Sequence, residues 1–137
     1  MKKNSLCALL TVLVVDDDEF ALELMQIQLE KCGFTSIHKA SNGRTGLRAL
    51  GQMVQPPDLL ICDIFMPDMD GIEFVGELVK RQFQGALVLV SGGDKGLLSV
   101  AQQIAVAHGI SVLGAFTKPL STDTLAQALG LGTNDPV

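Results

Sequence analysis

The run Leu59-Leu60-Ile61-Cys62-Asp63 constrains this chain more than any other stretch. Four consecutive apolar residues with no polar alternation, bounded by turn formers, read as a β-strand covered on both faces. Such a strand belongs in the middle of a sheet with helices packed above and below it. The segment Pro67-Asp68-Met69-Asp70-Gly71 is dense in turn formers, so the strand stops close to Asp63. One carboxylate then stands at the carboxyl end of a central strand, the edge at which open α/β sheets bind ligands. Taken alone, an Asp there is equally well explained as a helix cap or a turn residue.

The rest of the chain supplies the sheet around that strand. Residues 12–15 read as a first strand. A helix over 19–31 has apolar positions at Ala21, Leu24, Met25 and Leu29, and Gly33 ends it. A weak second strand covers 36–40, and a helix over 43–52 turns Leu47 and Leu50 inward. Gln55-Pro56-Pro57 breaks the chain before the strand at 59–62. Ile72, Val75, Leu78 and Val79 mark a third helix. Residues 86–90 form a fourth strand, followed by Ser91-Gly92-Gly93. Leu97, Ala101, Ile104 and Ala105 line a fourth helix ended by Gly109, and 111–117 is a fifth strand. Ser121 N-caps a last helix holding Leu125 and Leu129. Five strands alternating with five helices predict a parallel sheet covered on both faces, the doubly wound (βα)5 class of α/β proteins. One domain is expected over 11–130, with an N-terminal extension at 1–10 and a flexible tail at 131–137.

Composition narrows the function. The 137 residues suffice for one sizeable core. There are 15 acids against 10 bases, no basic run, and the six aromatics are all Phe, which argues against direct nucleic-acid binding. Cys7, Cys32 and Cys62 lack metal-ligand spacing; an odd count inside apolar runs predicts reduced core thiols in the cytoplasm. Lys2 and Lys3 before the apolar run 6–15 imitate a signal peptide. Asp16-Asp17-Asp18 stands where a small-residue cleavage site would be, and the run is too short to cross a bilayer. It is expected to be the first buried strand with a short extension, so no membrane association is expected.

The strand ends carry the chemistry. The first ends in Asp16 and Asp17, the third in Asp63, the fourth in Ser91 and the fifth near Lys118-Pro119. In a parallel sheet these ends share one edge. Clustered carboxylates repel one another unless a cation sits among them. A few hard oxygen ligands suit Mg²⁺, which keeps waters and substrate oxygens in its shell. With a lysine and a hydroxyl beside them, they form a site suited to phosphoryl transfer.

The pieces Val12-Leu13-Val14-Val15-Asp16-Asp17-Asp18, Asp63 with Met66-Pro67-Asp68-Met69-Asp70-Gly71, Val90-Ser91-Gly92 and Thr117-Lys118-Pro119 occur in order. In them the chain resembles the receiver domain of two-component response regulators, the chemotaxis-regulator-like fold. The resemblance covers about residues 11 to 130. It implies a flavodoxin-like strand order 2-1-3-4-5 and a cis Lys118-Pro119 bond. It also implies that Asp63 is the phosphoacceptor and that Asp16, Asp17, Asp63 and the backbone carbonyl of Phe65 hold Mg²⁺. Ser91 and Lys118 would contact the phosphoryl group. The donor would be a sensor histidine kinase or a phosphotransfer protein. The domain would catalyse its own phosphorylation and dephosphorylation rather than act as an enzyme on a separate substrate. An output domain or partner, or a second copy in a homodimer, would meet the face of helix 4, strand 5 and helix 5. One departure stands out: many receivers carry Tyr or Phe three residues before the lysine, and here that residue is Ala115, with Phe116 aimed at the opposite face.

The competing enzyme reading is a haloacid-dehalogenase-like phosphatase with Asp16 as nucleophile. Asp16-Asp17-Asp18, Ser91 and a lysine fit it. The acidic pair it needs at a later strand end is missing, since only Asp123 and Asp135 follow Lys118, and Asp63 is left without a role. A flavin-binding relative of the fold would want hydroxyls after the first strand, where this chain has acids. Other residues have plainer readings. Asp18 and Glu19 lead into the first helix, where negative charge is favoured. Asp68 and Asp70 are turn residues, Cys62 faces away from Asp63, and His38 and His108 are structural or solvent-facing. No Asp, Glu, Lys or Arg lies between Lys95 and Lys118, so the outer face of the fourth helix is built from Ser99, Gln102, Gln103 and Val106. A charge-poor face of that kind suits a partner.

Overall fold

A computed structural model describes residues 5–131. Its strands are β1 (Thr11–Val15), β2 (Ser36–Ala40), β3 (Leu59–Asp63), β4 (Ala86–Ser91) and β5 (Ser111–Thr117). Its helices are α1 (Glu19–Cys32), α2 (Gly43–Gln52), α3 (Gly71–Lys80), α4 (Lys95–Ala107) and α5 (Thr122–Ala128). The strands are all parallel, in the order β2-β1-β3-β4-β5. The expected fold class and strand order both hold.

Strand alternation divides the core in two. Leu13, Val15, Leu60, Cys62, Leu87 and Leu89 point to the side covered by α2, α3 and α4, around Phe74 and Leu78. Val12, Val14, Leu59, Ile61, Val88 and Val90 point to the side of α1 and α5, around Leu29 and Leu125. β3 is buried at every position, as its unbroken apolar run requires. Burying one such aliphatic side chain contributes about 1.5–3 kcal/mol.

Local signals place most element ends. Asp18 N-caps α1 by accepting from Phe20 N–H, and Gly33 ends the helix at φ +112°. Asp70, Asp94 and Ser121 cap α3, α4 and α5 in the same manner. Lys118-Pro119 is cis.

Two expectations need correction. Residues Ser5–Leu9 do not extend the first strand; they form a 3-10 turn that buries Cys7 and leaves Leu6 and Leu9 exposed. β1 starts at Thr11, where pairing with Ser36 of β2 begins, and without a neighbouring strand upstream the backbone bonds to itself. Second, α1 buries Leu22, Met25, Gln28, Leu29 and Cys32, while Leu24 is 40% exposed. Apolar residues occur nearly all round this helix, so periodicity does not choose between two stripes that share Met25 and Leu29. The choice is made by the segment after β5: Gln28 Nε2–H donates to the Leu120 carbonyl at 2.6 Å. Phe20, Leu24 and Ile27 are left as an exposed stripe at helical spacing.

Leu131 packs against the α1/α5 core. The rest of the expected tail, 132–137, and residues 1–4 of the expected extension lie outside the described residues. Among the described residues no helix is long and apolar enough to cross a membrane. Cys7, Cys32 and Cys62 are free and buried.

Candidate functional site

The carboxyl edge of the sheet gathers the charged side chains. Asp16 follows the alternation of Val12 and Val14, and Asp63 that of Leu59 and Ile61, so both turn toward the α1/α5 side. Both are nearly fully buried. Lys118 reaches them from the end of β5, its Nζ lying 2.7 Å from Asp16 Oδ2 and 3.4 Å from Asp63 Oδ2. Asp17 is exposed, yet one carboxylate oxygen from each of Asp16, Asp17 and Asp63 falls within a 4.8 Å group. Backbone amides orient the two buried acids: Asp18 N–H donates to Asp16 Oδ1 at 2.9 Å and Phe65 N–H to Asp63 Oδ1 at 3.2 Å.

Four of the residues singled out in the sequence therefore meet. The other two stand beside them. Phe65 is anchored through its amide, and the residue is 61% exposed. Ser91 is buried at the end of β4, and the Lys118 amide donates to its carbonyl at 2.8 Å. Its hydroxyl is turned to its own loop, accepting from Gly93 N–H at 3.2 Å and donating to the Asp94 carbonyl at 3.4 Å.

Electrostatics favour a cation here. Burial, and after it the neighbouring Asp16 charge, push the Asp63 carboxyl from 3.8 up to about 6, against the pull of Lys118 and the Phe65 amide. Burial works against the Lys118 ammonium, but Asp16 and Asp63 outweigh it and hold its pKa above the usual lysine value. Burial, then the charges of Asp63 and Asp16, raise the Cys62 thiol well above its ordinary value, so it stays protonated on the far face of β3. With all three acids ionised, one ammonium leaves two negative charges uncompensated, the charge of one divalent ion. The donors are hard oxygens. Three such oxygens within 4.8 Å of one another suit Mg²⁺, which takes a few carboxylates and fills the rest of its shell with water and substrate oxygens.

A family model for the response regulator receiver domain matches residues 12–130. The chain belongs to that family. It is 34% identical to a response regulator from Colwellia psychrerythraea, with a TM-score of 0.74 over 89% of this chain and 94% of that one. It is 30% identical over 122 residues to the positive alginate biosynthesis regulatory protein of Pseudomonas aeruginosa, covering 88% of this chain and 46% of that protein. Against the transcriptional regulatory protein GlrR of Escherichia coli it is 33% identical over 118 residues, 86% of this chain and 25% of the relative. The receiver thus spans a quarter to about half of the length of these curated relatives. Phosphorylation and magnesium binding are typical of the family, whose receivers are signalling domains. Nothing in these matches supports the phosphatase alternative.

Sequence reasoning missed two polar residues. Gln28 sits on the buried stripe of α1 and ties that helix to Leu120 beside the site; a polar residue interrupting an apolar stripe is its only signal. Asp68, expected as an ordinary turn residue, sends its carboxylate across to α2, accepting from Gly43 and Arg44 N–H at 3.1 and 2.9 Å. Burial opposes its charge, but those amides outweigh it and hold the carboxyl below the usual range. Local spacing carries no trace of that contact.

Proposed function

We propose that this receiver accepts a phosphoryl group on Asp63 from a histidine kinase or a phosphotransfer protein, and that the change is read at the face of α4, β5 and α5. The observation that carries the reading is the placement of Asp63: a buried carboxylate at the end of the central strand, beside Asp16 and in reach of Lys118. In the reaction an Asp63 carboxylate oxygen attacks phosphorus. The new O–P bond forms as the bond from phosphorus to the donor nitrogen or oxygen breaks, and the leaving group keeps the electron pair. Asp16, Asp17, Asp63 and the Phe65 carbonyl would hold Mg²⁺, which when bound neutralises charge on the transferring phosphoryl oxygens. Lys118 would shift from the carboxylates toward the phosphoryl group, and Ser91 would exchange its loop bonds for one to the same group. The setting is cytoplasmic. The test is intact mass after incubation with acetyl phosphate and Mg²⁺. One added, base-labile phosphoryl group is expected, and an unchanged mass would overturn the reading.

Lys118→Ala should separate chemistry from switching. The ammonium acts as a point charge that draws β5 toward the phosphoryl oxygens. We expect the variant to be phosphorylated but to lose the conformational response. Amide NMR shifts on phosphorylation that match wild type throughout β5 would show that Lys118 is not the sensor.

The output face is supported by its surface. Ser99 and Gln103 are exposed and bonded to each other at 3.1 Å, and Val100 and Val106 are 43% and 58% exposed. Ala115 leaves a groove of about 350 Å³ between α4 and β5, with Leu98 and Gln102 on its wall. Phe116 does not replace the missing ring. It packs with the α1/α5 core, lying so close over Gly114 that a Cβ there would meet it at 2.4 Å. Displacement of the β4–α4 loop would therefore carry the change, with Gly92 and Gly93 allowing it. Gln102→Glu with Val106→Lys should abolish phosphorylation-dependent association with a second copy or an output partner, leaving Asp63 labelling intact. Sedimentation showing one mass with and without phosphorylation, and no partner lost in the double variant, would place the output elsewhere.

A further inference from the structure

The loop between β3 and α3 is tied down both within itself, where Phe65 bonds to Asp63 and pairs with Asp70, and to its neighbours. Ile64 N–H donates to the Val90 carbonyl at 3.0 Å, and Gly71 N–H donates to the Ile64 carbonyl at 2.7 Å. Another tie leaves the loop, through the two oxygens of Asp68, to the first two amides of α2, Gly43 and Arg44. Helix geometry leaves those amides without partners of their own. Asn42 takes the next one, Thr45 N–H, at 2.8 Å. The seam is close: a Cβ on Gly43 would stand 2.9 Å from Met69 Cβ. On the other side of the same turn, Asp16 N–H donates to the Ala40 carbonyl at 3.1 Å. Residues 40–44 are thus bonded at one end to the loop bearing Asp16 and Asp17, and at the other to the loop bearing Phe65.

We propose that Asp68 is a positioning residue for metal binding, fixing through the α2 N-terminus the separation between the Asp16–Asp17 pair and the Phe65 carbonyl. The inference rests on the reading of those residues as the metal-holding set. Mg²⁺ demands near-ideal octahedral geometry, so ligands on two loops must be held at one spacing. Partners that orient metal ligands are worth about 10–100-fold in affinity.

The test is calorimetric titration of Mg²⁺ into the full chain, with wild type compared to Asp68→Ala, Asp68→Asn and Asp58→Ala. Asp58 Oδ2 accepts from Thr11 N–H at 2.9 Å at the opposite end of the strands, a bond of the same kind remote from the site. Asp68→Ala should weaken Mg²⁺ binding by about tenfold or more. Asp68→Asn keeps one acceptor oxygen and should weaken it less. Asp58→Ala should lower the melting temperature and leave the Mg²⁺ dissociation constant unchanged. If Asp68→Ala does not fold, Asp68→Asn carries the comparison. Wild-type affinity in both Asp68 variants would overturn the inference, as would equal weakening in Asp58→Ala, which would mark a general loss of stability. A wild-type chain that binds no Mg²⁺ at millimolar concentration would instead remove the metal reading, and this inference with it.

Discussion

Asp63→Asn is expected to take up no phosphoryl group from acetyl phosphate and Mg²⁺ under conditions that label the wild type fully. The substitution keeps the side chain's shape, so the carboxamide oxygen can still accept from Phe65 N–H, as Asp63 Oδ1 does at 3.2 Å. What it removes is the proposed nucleophile, because the carboxamide has no anionic oxygen to attack phosphorus. The result should be all-or-none, since among the described residues no second acid combines these properties. Asp16 is equally buried but is held at 2.7 Å by Lys118, and Asp17 is exposed. The variant should fold, because it relieves repulsion between two buried carboxylates. Intact mass and base lability decide the matter. Equal labelling of the Asn variant would move the acceptor to Asp16.

The second large effect is on stability against pH. In the folded protein the Asp63 carboxyl holds its proton to about pH 6, against an ordinary value of 3.8. Between those values the folded state binds more protons than the unfolded chain, so this group makes stability fall as pH rises from about 4 to 6, and level off above. That difference in pKa corresponds to on the order of 3 kcal/mol. The raised Lys118 value acts elsewhere: its contribution is complete below the usual lysine value and is lost only at alkaline pH. Asp68, its carboxyl held below the usual range by the α2 amides, contributes stability that is lost as pH falls, so the difference between wild type and Asp63→Asn isolates the Asp63 contribution. Urea denaturation from pH 4 to 8 should show wild type falling relative to the variant up to about pH 6. Metal binding needs the ionised acids, so Mg²⁺ at ten times its Kd should add about 1.4 kcal/mol above pH 6 and progressively less below. Asp17→Ala should lose that response. A wild-type-minus-variant difference that is flat with pH, or a melting temperature indifferent to millimolar Mg²⁺ at pH 7.5, would count against this account of the site.

The strands, helix caps and strand-end residues were legible in the sequence because the physics that sets them is local. The unbroken apolar run before Asp63 admits only a doubly covered strand, Gly33 and Ser121 mark helix ends by backbone and capping chemistry, and a parallel sheet sends every strand end to one edge. The strand order was legible only through family resemblance, since nothing in five similar βα units states which edge each takes. Tertiary structure decided the rest. Periodicity says that α1 has apolar faces, but the Leu120 carbonyl 92 positions away from Gln28 selects which of them is buried. Spacing brings Lys118 to the acids without saying that it sits closer to Asp16 than to Asp63, or that the Ser91 hydroxyl is spent on its own loop. Asp68 looks like any turn residue until α2 presents its unpartnered amides. A hydrogen bond or a charge acts over a few ångströms in space, and residues far apart in sequence share that distance only once the chain has folded.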